Sequence, residues 1–277
     1  MIAVAIVLGL AASSPLSVGA MGTQSTADRY ERFDHVLDTY VREGYVYYKA
    51  LQSERRVIDP YLQSLEVAPT DMASWSRNDQ LAFWINAYNA LVLKTVIDKY
   101  PIKAITKDYP ANSIRQIPGA LEQITHRVAG RTLTLNAIEQ TIIVPFGDAR
   151  ALLALGRGAI GSGRLHSEVY RGDRLDEQLD QVVKEFVTRI KSMSVDPGQN
   201  SLTASSLFGW RQEAFIASFQ KDGAFLVGRS PIEQAIVGMA LPKLFSTERE
   251  FLKQNTFQLK YGDFDWRLND LTGGIPN

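Results

Sequence analysis

The segment from Arg77 to Lys99 constrains this chain more than any other. It is nearly apolar through Val96 and stops before Pro101, whose ring disfavours helix at the residue ahead of it. A run of that length, apolar on every side, predicts a helix buried at the centre of a domain. Its middle reads Phe83-Trp84-Ile85-Asn86-Ala87-Tyr88-Asn89-Ala90-Leu91. Asn86 and Asn89 are three apart and so share a helix face. Asn is a mediocre helix former, and a buried amide without partners costs about 1–3 kcal/mol. The pair is expected to anchor loop backbone or to touch a ligand, with Trp84 and Tyr88 filling the core or lining a pocket beside it.

Other elements follow from spacing. Tyr30, Phe33, Leu37 and Tyr40 recur at helical intervals between Asp28 and Glu43, and Gly44 is expected to end that helix. Tyr45 to Tyr48 reads as extended, Val57 to Leu65 as a second helix closed by Pro69. Thr125 to Thr134 reads as a hairpin, after which Thr134 is expected to cap a short helix running to Ile143. Leu175 to Ile190 is cleanly amphipathic; Leu207 to Phe219 and Pro231 to Leu244 are helical in pattern; Phe257 to Tyr261 alternates as an edge strand does. The expectation is a helix-rich α+β single domain, residues 21–277, with a small β-sheet.

Composition removes several functions. Lys+Arg and Asp+Glu are both 30, so no broad basic field exists to attract nucleic acid. The chain has no cysteine, which rules out thiol catalysis and thiolate metal sites. The apolar run from Met1 to Ala12, followed by small residues through Ala20, resembles a secretory leader, although no Lys or Arg precedes it. Residues 1–20 are therefore expected to be a signal peptide that sends the chain to the periplasm or the cell exterior and leaves no membrane span. The alternative is an uncleaved N-terminal anchor, for which the run is short of the ~20 residues that a spanning helix needs.

Seven segments in order are similar to one bacterial family, the domain of unknown function 547 (DUF547). They include Val46-Tyr47-Tyr48-Lys49-Ala50-Leu51, the Phe83 to Leu93 run with Lys94, Tyr100-Pro101-Ile102-Lys103-Ala104-Ile105, Val128 to Leu135 with Ile138-Glu139, Pro145-Phe146-Gly147-Asp148 continued by Glu168-Val169-Tyr170, Leu207-Phe208-Gly209-Trp210 and Asp265 to Asn269. The resemblance implies a His after the Ile-Glu pair, where this chain has Gln140, and another His where it has Leu152. It implies two cysteines where Arg157 and Ser162 stand, an Asp at Tyr47 and an acid at Ala214. A His and Cys set of that kind serves thiol chemistry, metal binding or disulfide closure in such a family. This chain lacks all four residues, so no metal and no cofactor is expected. Glu139 and Arg157 remain as candidate pocket or structural residues.

Two sharper readings attach to the glycine-rich stretch. Gly156-Arg157-Gly158-Ala159-Ile160-Gly161 fits a dinucleotide fingerprint only if a strand precedes it and a helix begins within it, and the polar stretch to Gly172 is a poor helix. Ser162 between two glycines, with His166 four residues on, suggests a serine nucleophile and base, provided that Glu168 or Asp173 orients the His. Trp210 and Trp266 read as scaffold. His35, on the polar side of the first helix, and His126, beside the hairpin, show no metal spacing with His166. The functional expectation is a non-catalytic binding or accessory module of the bacterial envelope with an unknown partner; the alternative is a hydrolase using Ser162 in the loop 156–165. Intact-mass analysis of protein from the native host should give a mature chain beginning at Met21. A retained Met1 on a membrane-bound protein would overturn the leader.

Overall fold

The computed structural model describes residues 26–220 and 226–273; the expected leader and its cleavage point after Ala20 lie outside them. Helix α1 (Thr26–Tyr40) turns Phe33, Val36, Leu37 and Tyr40 into the core and leaves His35 exposed. It stops at Tyr40, and the chain reverses at once through β1 (Val41–Arg42) and β2 (Tyr45–Val46). Glu43 and Gly44 hold φ of 52° and 84°, the left-handed pair that a two-residue hairpin requires. Gly44 is thus a turn residue, not the terminator of α1. Tyr48 is not extended either: it opens α2 (Tyr48–Ser53), and a 3₁₀ turn leads to α3 (Asp59–Ser64). Pro69 does not close that helix but starts α4 (Pro69–Ala73), where its missing N–H costs nothing.

Helix α5 (Arg77–Ile97) begins at Ser76, whose side chain accepts from the Asp79 N–H. Every residue from Leu81 to Leu93 is buried, as an all-round apolar helix must be. It packs against α2, α3 and the segment that follows the second hairpin. That hairpin is β3 (Thr125–Val128) with β4 (Arg131–Thr134), as its spacing predicts. Thr134 then accepts from the Ala137 N–H at 3.0 Å and caps α6 (Leu135–Ala137). The helix continues as a π-helical turn over Ile138–Ile143 and ends at Gly147, φ 69°. After α7 (Arg150–Leu153) the chain runs without regular structure to α8 (Leu175–Thr188), which stops short of Ile190.

Next come β5 (Met193–Asp196), β6 (Ser201–Ser205), α9 (Ser206–Trp210), α10 (Gln212–Phe219), α11 (Pro231–Ala240), α12 (Ser246–Lys253) and β7 (Gln258–Gly262). The three strands form one sheet, with β5 antiparallel and β7 parallel to the central β6. The sequence pattern identified β7 as an edge but missed β5, β6 and α12; β5 and β6 are only four and five residues long, too short for a strong strand pattern. The C-terminal segment returns to the beginning of the domain. Val46 and Leu271 exchange backbone bonds with Asn269 and Val46, the Tyr48 hydroxyl donates to Asn269 Oδ1 at 2.8 Å, and that of Tyr100 donates to Asp270 Oδ2 at 2.7 Å. The result is a helix-rich α+β domain with small sheets. Among the described residues no helix is long and apolar enough to cross a membrane.

Both α5 amides hold the long loop between α7 and α8. Asn86 Nδ2 donates to the Tyr170 carbonyl at 2.8 Å, and the Tyr170 N–H donates back to Asn86 Oδ1 at 2.9 Å. Asn89 does the same across the bend at Ala154 and Gly156, at 3.1 and 2.8 Å. Each amide therefore replaces a strand neighbour for loop backbone that has none. Asn86→Ala and Asn89→Ala should each lower stability by about 1–3 kcal/mol. Urea unfolding checks this; unchanged midpoints in both would show that the amides are idle.

Candidate functional site

The densest buried charge in the domain lies where α5, the π-helical turn and the α7–α8 loop meet. The wide turn carries Glu139 inward, 3% exposed, next to Tyr88 of α5. Arg157 enters from the loop with only 4% exposure and a left-handed φ of 34°, a conformation uncommon outside glycine. Its Nη1 donates to the carbonyls of Leu152 and Leu155 at 3.1 and 3.2 Å. Its Nε donates to Glu139 Oε2 at 3.1 Å. Arg157 Nη2 stands 2.9 Å from Glu139 Oε1 as an ion pair but makes no hydrogen bond at that angle. Arg211, at the end of α9, donates from Nε to the same Oε1 at 2.7 Å.

The electrostatics follow from these partners. Burial alone would raise the Glu139 carboxyl, but Arg157 and then Arg211 outweigh it and hold it below the usual range. Burial works against the Arg157 charge too, and Glu139 reverses that. Burial, reinforced by Glu139, raises the Tyr88 phenol. Glu139 is thus a fully committed carboxylate, with both oxygens taken by guanidinium groups, and is unsuited to proton transfer at neutral pH. Arg211 was not foreseen: a lone Arg after Trp210 carries no motif, and only the fold brings it beside Glu139.

The positions where a reactive set is implied are chemically quiet. Gln140 is exposed and donates to Asn136 Oδ1 at 2.8 Å. Leu152 and Ala214 line one small cavity of about 210 Å³ between the 144–149 segment and α10. Ser218, also on its wall, accepts from the Ala149 N–H and donates to the Gly147 carbonyl. Asp148 there is held by Arg150 at 2.8 Å.

The glycine-rich stretch follows a helix, α7, and continues as irregular chain, so the strand–turn–helix that the dinucleotide reading requires is absent. Ser162 is 1% exposed and its hydroxyl has no hydrogen-bond partner among the described residues. His166 does not reach it. The His166 Nε2 instead lies 3.2 Å from Glu185 Oε2, and its ring stacks on Tyr170 at 5.8 Å. Glu168 and Asp173, the carboxylates named for an orienting role, pair with Arg174 and Arg171. His126 is buried; burial, then Lys94, lowers it to about 4, so it is neutral at pH 7. Among the described residues no group of three or more His, Asp and Glu side chains is arranged to hold a metal ion. Trp84 is buried against Phe83, as scaffold. Trp210 is not: it is 44% exposed and stacks on Trp266 at 5.9 Å.

Residues 72–187 match the family model described as "Protein of unknown function, DUF547". That segment, which carries Asn86, Asn89, Glu139, Arg157, Ser162 and His166, is similar to the family. No curated protein and no solved structure matches the chain.

The ion cluster predicts a large penalty for breaking it. Glu139→Gln leaves two guanidinium groups, one fully buried, without their counter-ion, and should cost about 3–5 kcal/mol. The folded Glu139 carboxyl lies below its unfolded value, so its contribution is complete above the unfolded pKa of about 4.3 and is lost as pH falls through the folded value. Unfolding between pH 7 and pH 3 should therefore show wild-type stability falling toward that of Glu139→Gln. Parallel curves for the two proteins would refute the assignment.

Proposed function

We propose that this DUF547-family chain is a non-catalytic binding or accessory module of the bacterial envelope, exported through residues 1–20. The observation that carries the reading is the state of Glu139. The acid of the family's Ile-Glu element is locked between Arg157 and Arg211, and Arg157 stands where the resemblance implies a cysteine. The neighbouring cavity presents Leu152 and Ala214 in place of His and an acid. An arrangement of this kind stores rigidity in a loop and offers neither nucleophile nor base.

The hydrolase alternative draws on one observation, the unpartnered Ser162 hydroxyl. Against it, that hydroxyl is buried and His166 is engaged by Glu185. A fluorophosphonate probe for serine hydrolases, applied to the purified chain, should leave it unlabelled. Stoichiometric labelling that disappears in Ser162→Ala would overturn the non-catalytic reading.

A further inference from the structure

Beneath the β1–β2 turn lies a cavity of about 250 Å³ whose wall includes Arg164, Arg189, Lys191, Glu43, Tyr45 and Ile160. Its charges do not cancel. Three cations and one carboxylate leave the wall at +2. Glu43 is already 3.2 Å from Arg164. Arg189 is half-buried, and among the described residues no carboxylate lies within salt-bridge distance of it. Its Nε donates to Ser192 Oγ at 2.7 Å and its Nη2 to the Ser162 carbonyl. Both acceptors are neutral; Glu185, beyond salt-bridge distance and already engaged by His166, is the carboxylate that acts on the guanidinium, and it does not outweigh burial and Arg164. Lys191, exposed on the rim, has no salt bridge among the described residues either.

The backbone is shaped to hold these cations together. A Cβ at Gly163 would sit 1.5 Å from the Leu153 carbonyl oxygen, so only glycine lets the loop pass there and present Arg164. A Cβ at Gly44 would sit 3.1 Å from Arg164 Cβ, so the hairpin turn seats the Arg164 stem. Burial and the neighbouring Arg164 both push the Arg189 guanidinium below its ordinary value. A partly desolvated cation beside a second cation is costly unless an anion shares the space.

We propose that this cavity binds a phosphate group, free or as a monoester of a small organic body. A phosphomonoester carries about −1.5 to −2 at pH 7, which complements the +2 wall, whereas a single carboxylate leaves a cation unmatched. Guanidinium forks suit its oxygens geometrically. Tyr45, Ile160 and Ile190 supply an apolar rim for the organic part. The volume is below the ~300–1,000 Å³ of drug-sized sites, so the occupant is the size of a headgroup. This site is separate from the Glu139 cluster, and the proposal stands whether or not Ser162 reacts with a fluorophosphonate.

Calorimetric titration of the whole chain with inorganic phosphate, glycerol 3-phosphate and glycerol tests it, alongside sedimentation with phosphatidic acid or phosphatidylcholine vesicles. Saturable binding of glycerol 3-phosphate but not glycerol is expected, weakened about tenfold by Lys191→Gln and further by Arg164→Gln, both exposed and outside the core. Arg189→Gln should abolish it; the two exposed variants keep the test valid if that one misfolds. Equal affinity for inorganic phosphate supports the site and assigns it to the free anion. Retention on phosphatidic acid vesicles alone, lost in Lys191→Gln, supports it and assigns it to a lipid headgroup. No binding of any phosphate-bearing probe, or binding indifferent to both exposed substitutions, overturns the proposal.

Discussion

A helix buried on every side can keep polar side chains only if the surrounding chain comes to meet them. That constraint organises the domain. Asn86 and Asn89 each give one donor and one acceptor to backbone of the α7–α8 loop. Over twenty residues without regular structure would otherwise pass over the core with unmet N–H and C=O groups. The amides fix where that loop lies, and the loop in turn carries Arg157, Ser162, Arg164 and His166. The buried ion cluster and the cationic cavity therefore both depend on two side chains of α5.

The ion cluster illustrates how a fold commits a buried carboxylate. A guanidinium at position 157 is long enough to reach the Leu152 and Leu155 carbonyls and the Glu139 carboxylate at once. Those bonds hold a residue with left-handed φ in place. They also consume the carboxylate, so rigidity is gained at the point where acid–base chemistry would need a partly free group. The cationic cavity is the converse case: Arg189 is oriented by Ser192 and the Ser162 carbonyl, neutral acceptors, while Arg164 beside it takes the one carboxylate of the wall, Glu43.

Much of the architecture was legible in the sequence. The central helix, the β3–β4 hairpin, the Thr134 cap and α8 all rest on local patterns: apolar period, turn residues, a capping hydroxyl. The errors share a cause. Gly44 and Pro69 are punctuation whose meaning depends on what lies on either side. Glycine serves a helix end or a hairpin turn equally well, and proline closes one helix or opens the next. Strands β5 and β6 escaped because they are only four and five residues long and hold few large apolar side chains; the pairing of β6 with β5 on one side and β7 on the other makes them strands.

The sequence alone determined that a long apolar helix bearing two amides lies at the centre and that thiol chemistry is impossible. These follow from residue type and short-range spacing. Only the tertiary structure decided which charges meet. Glu139 and Arg211 are 72 residues apart, and Gly44, in the β1–β2 turn, meets Arg164 of the α7–α8 loop. His166 turned to Glu185 and away from Ser162. Side-chain pairing at such separations is set by how buried surfaces pack, and one chain's local pattern carries no record of it.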